Sequence, residues 1–106
     1  MSKKAELIKE CLNELGIKYA YYQFREPLTG ESRFVSYFKV KDERFLADDS
    51  VYMNEERYAI ELYTKKIELD TESSLIDILG KKGLIWEYSG TQYLNDEKVY
   101  MTVFYV

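Results

Sequence analysis

Twice along this chain an apolar stripe at helical spacing stops at a glycine and gives way to an aromatic, strand-like run; that double switch of period constrains the fold most. The first stripe predicts a helix over 2–15. Leu7, Ile8, Cys11, Leu12 and Leu15 share one side, and Lys3, Lys4, Glu6, Lys9, Glu10 and Glu14 take the other. Ser2 is placed to cap its start, and Gly16 to supply the left-handed residue at its end. The second stripe, Leu75, Ile76, Ile78 and Leu79, predicts a helix over 71–82, capped by Asp70 or Thr71 and ended by Gly83. Gly80 weakens its last turn by about 1 kcal/mol relative to alanine.

The rest reads as strands. Residues 17–25 are aromatic and β-branched, and Pro27 and Gly30 mark a turn over 26–32, so a second strand over 33–41 completes a hairpin. In it Phe34, Ser36, Phe38 and Val40 share one face, and Val35, Tyr37 and Lys39 the other. A third strand over 57–65 sets Tyr58, Ile60 and Leu62 against Ala59, Glu61 and Tyr63. A short fourth strand covers 84–88, followed by a link over 89–98 that holds the turn signals Gly90 and Asn95-Asp96. The last strand, 99–106, alternates Val99, Met101, Val103 and Tyr105 with Tyr100, Thr102, Phe104 and Val106. Both of its faces are apolar or aromatic, which fits a central strand or one covered on both sides. The expected fold is a single α+β domain over 1–106. It has two layers, a mostly antiparallel five-stranded sheet with two helices packed on one face, in the order α-β-β-β-α-β-β, read as two α-β-β units sharing one sheet.

Composition excludes several kinds of chemistry. The chain has no histidine, the commonest general base, and Cys11 is its one cysteine. No cofactor is expected. A net charge of −4 opposes binding to phosphate backbones, so nucleic acid is disfavoured as a direct ligand. No apolar run is long enough to span a membrane, and no targeting segment stands out, so the cytoplasm is the expected compartment.

The sequence contains no arrangement that reads as a catalytic or metal site. Asp48-Asp49, beside Ser50 and Glu55-Glu56, are adjacent acids without the glycine of a calcium loop, and read as a solvated loop. Glu61 and Glu87 are strand carboxylates among aromatics, with no nucleophile or oxyanion loop beside them. Residues 33–37 match only the tail of the aromatic signature with which RNA-binding sheets stack bases. Cys11, in the apolar stripe, reads as a buried thiol.

Aromatic residues are the surplus: 11 Tyr, 5 Phe and 1 Trp. One helix-covered face cannot use them all, and exposed aromatic patches mark interfaces. The irregular segment 42–56 is also too apolar for a linker, and Phe45, Leu46, Val51, Tyr52 and Met53 are its expected protein-interface residues.

Three segments carry a family likeness. Phe45-Leu46-Ala47-Asp48-Asp49-Ser50-Val51-Tyr52 resembles a Phe-aromatic-Ala-Asp-Asn loop with a following tyrosine. Residues 58–66 (YAIELYTKK) resemble a Tyr-x-Val-Glu-Leu-Tyr-Thr-Lys strand, and 94–100 (LNDEKVY) a turn before a closing strand. These are features of small structural proteins of long-tailed bacteriophages and prophages of Gram-positive bacteria: tail-completion, tail-terminator and head–tail joining components. The likeness spans roughly residues 17–106; Asp49 stands where asparagine is frequent, and the chain is short for a terminator. The resemblance implies a non-enzymatic morphogenesis protein that self-assembles into a ring, often a hexamer, and docks with neighbouring tail or connector proteins. The alternative is a monomeric protein-binding module, a small regulator or inhibitor, and behind it an RNA-binding sheet.

Overall fold

The computed structural model describes residues 3–22, 33–40 and 56–106. Along the chain run α1 (Lys3–Leu15), β1 (Tyr19–Tyr21), β2 (Arg33–Val40), β3 (Arg57–Thr64), α2 (Leu69–Lys81), β4 (Glu87–Leu94) and β5 (Val99–Tyr105). The five strands form one mixed sheet in the order β1-β2-β3-β5-β4, an α+β fold with the expected element order. After β3 the chain crosses through α2 to the sheet edge, lays down β4, and returns in β5 to the interior between β3 and β4.

Both helices cover the same face. Ile8, Cys11 and Leu12 of α1 and Leu75, Ile78 and Leu79 of α2 join Val35, Tyr37, Ile60, Leu62 and Phe104 in one buried cluster. Each large aliphatic side chain buried there is worth about 1.5–3 kcal/mol of transfer free energy. The cross-strand register explains the selection: Val35 lies opposite Leu62, Tyr37 opposite Ile60, and Ile60 opposite Phe104. The alternation read from the sequence groups the right residues on each face, and the helices decide which face is inward. Between the helices, the buried Cys11 thiol lies 3.9 Å from the Ile78 carbonyl, and Lys82 pairs with Glu10 at 3.3 Å. Burial pushes the Cys11 thiol up, as do Glu14 and Glu10, against an opposing pull from Lys82; it stays a protonated packing group.

Gly16 (φ 81°) and Gly83 (φ 78°) end the two helices in left-handed geometry, as expected. The start of α2 differs from expectation. Its cap position is Glu68, not Asp70 or Thr71, and Thr71 donates its hydroxyl to the Glu68 carboxylate at 2.8 Å. Arg33 donates to the same oxygen at 2.7 Å, so an ion pair from β2 fixes the helix start. The proposed Ser2 cap and the turn over 26–32 lie outside the described residues.

Two strand expectations are corrected. β1 and β2 do not form a hairpin: they are parallel, with Tyr19 beside Val35 and Tyr21 beside Tyr37. A period of two reveals which side chains share a face and nothing about strand direction. Parallel pairing lets Tyr19 and Tyr21 both meet the Tyr37 ring edge-on, at 6.1 and 5.1 Å. Residue 22, at φ 55°, ends β1 after three residues.

The fourth strand is not 84–88 but Glu87–Leu94, so most of the expected link is strand. A register shift between Tyr88 and Gly90 marks a bulge, and Gly90 sits at φ 115°, open to glycine and strained for other residues. The glycine that reads as a turn is a bulge residue within an edge strand; the turn proper is 95–98.

Candidate interaction surface

The interface residues expected from the sequence, Phe45, Leu46, Val51, Tyr52 and Met53, lie outside the described residues, as do Asp48 and Asp49. The described residues show where other exposed aromatics gather: at the two lateral edges of the sheet. On one edge, Tyr21 and Tyr22 follow one another, with Tyr22 5.2 Å from Phe38. On the other, Trp86, Tyr88 and Tyr93 line the helix side of β4 and its approach, and Ile85 is 90% exposed beside them.

The β4 edge is built from the inside outward. Phe104, fully buried at the centre of the core, presents its ring to Tyr88 at 5.5 Å and Trp86 at 6.4 Å. Tyr93 leans on Tyr100 at 5.0 Å. Between these contacts runs a chain of hydroxyls: Tyr88 to Thr91 at 3.1 Å, Thr91 to Thr102 at 2.9 Å, and Thr102 to the Glu72 carboxylate at 3.4 Å. A carboxylate only accepts, so Thr102 donates to Glu72 and must accept from Thr91, which in turn accepts from Tyr88. That direction ties the exposed tyrosine on the edge to a carboxylate on α2.

The opposite face of the sheet carries a smaller cluster of Phe34, Tyr63 and Val99, bordered by Ala20, Leu94 and Met101. There Tyr63 donates to Glu61 at 2.6 Å. Burial first, then that hydrogen bond and the charges of Glu61 and Glu97, push the Tyr63 phenol far above its ordinary range. Ser36, also on this face and fully buried, has a hydroxyl with no hydrogen-bond partner among the described residues.

The structure separates the other candidates. Glu61 opposes Val103 and accepts from Tyr63, whereas Glu87 opposes Tyr105 and pairs with Arg57 at 2.8 Å; the two carboxylates serve different partners on different rungs. Arg57 also lies over the Tyr105 ring at 4.9 Å. Phe34 and Tyr37, the pair considered for base stacking, are buried on opposite faces and offer no common platform. No helix among the described residues is long and apolar enough to cross a membrane.

The aromatic β4 edge was missed in the sequence because Ser89, Gly90 and Asn95-Asp96 read as turn chemistry. The signal against that reading was Thr91-Gln92-Tyr93-Leu94, an uncharged run with β-prone Thr and Tyr at alternate positions, standing between the two turn signals.

Compared with protein-family models, curated proteins and solved structures, the chain matches none.

Proposed function

We propose that this chain is a non-enzymatic assembly subunit that works by self-association and by docking with other proteins. In a phage or prophage setting it would be a tail-completion, tail-terminator or head–tail joining component, made in the host cytoplasm. One observation carries the reading: exposed aromatic side chains concentrate on both lateral edges of the sheet, Tyr21 and Tyr22 on one and Trp86, Tyr88 and Tyr93 on the other. A subunit that joins neighbours side to side needs sticky groups on its lateral edges, and aromatic residues supply large contact area at low entropic cost. The segment 42–56, with Phe45, Leu46, Val51, Tyr52 and Met53, is the proposed further contact, and a ring, often a hexamer in the proteins the sequence resembles, the proposed assembly.

A monomeric protein-binding module is the second reading, favoured by the same β4 edge, since an extended peptide can add to an open strand. Molar mass measured by light scattering across a concentration range separates the two. A discrete oligomer, or a monomer moving toward one, supports assembly; a strict monomer that captures one partner supports the module.

A further inference from the structure

The geometry points to β4 as a self-pairing edge: two copies of this chain join antiparallel, β4 against β4, into one continuous ten-stranded sheet. This rests on the self-assembly reading and names its contact. Open edges are usually blunted by charges, prolines or extreme shortness, because unpaired N–H and C=O groups recruit other strands. β1 is blunted by its three residues. β4 is eight residues long, and no residue from Tyr88 to Leu94 is charged or proline. The two longest uncharged runs of the chain are 88–95 and 99–106; the second forms the interior strand β5, and the first lies on the edge.

A neutral centre and twofold symmetry fit a second copy as the occupant. In a chain of net charge −4, a second copy is repelled wherever acids face acids. The strip Gly90–Leu94 beyond the bulge is regular and neutral, and a twofold axis at Gln92 sets Thr91 of each copy opposite Tyr93 of the other. Both pairs fall on the helix side. Beyond that strip the same axis brings Glu87, which is held by Arg57, toward Asp96 and Glu97 of the other copy, an acidic pairing that keeps the joint weak and reversible.

The amount of surface fits a reversible joint. Tyr88 and Tyr93 are each about half exposed, so with Trp86 and the strand backbone each copy offers on the order of 400–500 Å². Two copies thus approach the ~1,000 Å² at which specific association begins. A twofold joint closes on itself, so a ring would be built from such pairs through a second, different contact.

The test is sedimentation velocity of the full chain over a concentration range, beside a Gln92→Lys/Tyr93→Lys variant and an oxidised Gln92→Cys variant. The wild type is expected to pass from monomer to dimer as concentration rises. The lysine pair is expected to raise the dissociation constant about tenfold or more, because like charges then face each other across the joint. Gln92→Cys is expected to give a disulfide-linked dimer, since that residue meets its own copy on the axis, while Ser73→Cys on the exposed side of α2 gives none. Association that survives the lysine pair, with no cross-link at 92, overturns the β4 joint and leaves self-assembly standing. A chain that stays monomeric throughout and never cross-links overturns both.

Discussion

Tyr63 and Glu61, two residues apart on β3, hold each other through a 2.6 Å hydrogen bond on the sheet face turned away from the helices. The phenol is the donor, so the bond exists only while Tyr63 keeps its proton. Its titration is pushed upward in the folded chain, chiefly by burial. A raised acid of this kind contributes stability that is full below the unfolded tyrosine value of about 10 and is lost as pH rises beyond it. Tyr63→Phe is expected to cost about 1 kcal/mol at neutral pH and to flatten the alkaline decline. Urea unfolding at neutral and alkaline pH measures both; equal alkaline slopes in variant and wild type would refute the link.

At the other end of the pH scale Glu68 behaves oppositely. Burial alone would raise its carboxyl, but hydrogen bonds from Thr71 and Arg33 and the charges of Arg33 and Lys66 outweigh it and hold the group below the ordinary carboxylate range. Stability from this cluster is therefore present above about pH 4.3 and fades as pH falls through the depressed value. The stability gap between wild type and Glu68→Gln should be open at neutral pH and close in acid, as read by thermal unfolding in a pH series.

Core and edge should respond differently to truncation. Leu75→Ala removes a fully buried side chain of α2 from the cluster it shares with α1 and the sheet, and is expected to cost about 2–5 kcal/mol. Ile85→Ala, at a residue 90% exposed beside β4, should change stability by less than about 0.5 kcal/mol. Chemical denaturation of both variants gives the comparison, and a large loss from Ile85→Ala would mean that residue is covered by contacts the isolated fold lacks.

Gly90 offers a separate test of the bulge. Among the described residues, nothing beyond its chain neighbours lies within 4 Å of where an alanine methyl would stand, so the penalty for alanine is conformational. At φ 115° that penalty is about 1–3 kcal/mol. Hydrogen exchange should show protection lost in β4 and β5 first, with α1 little changed.

How far the fold was legible follows from which physical signals are local. Ile8, Cys11, Leu12, Leu75 and Leu79 were recognisable as core because helical period directly encodes a buried side. Val35 with Tyr37, and Ile60 with Leu62, were recognisable at period two as sharing a face, but not as the inward one. The parallel pairing of β1 with β2 was not, since direction depends on where the chain travels between strands. β4 was misread because an edge strand exposed to water carries the polar, glycine-containing composition of a loop. The expected interface at Phe45, Leu46, Val51, Tyr52 and Met53 falls outside the described residues, so the β4 edge is the surface the described structure supplies.

The hydroxyl chain from Tyr88 through Thr91 and Thr102 to Glu72 makes the rim of the sheet mechanically continuous with α2. The exposed rim of the sheet is in this way tied to α2 by side chains as well as through the core, and Tyr88→Phe, which removes the first donor, leaves the Thr91–Thr102–Glu72 links to hold it.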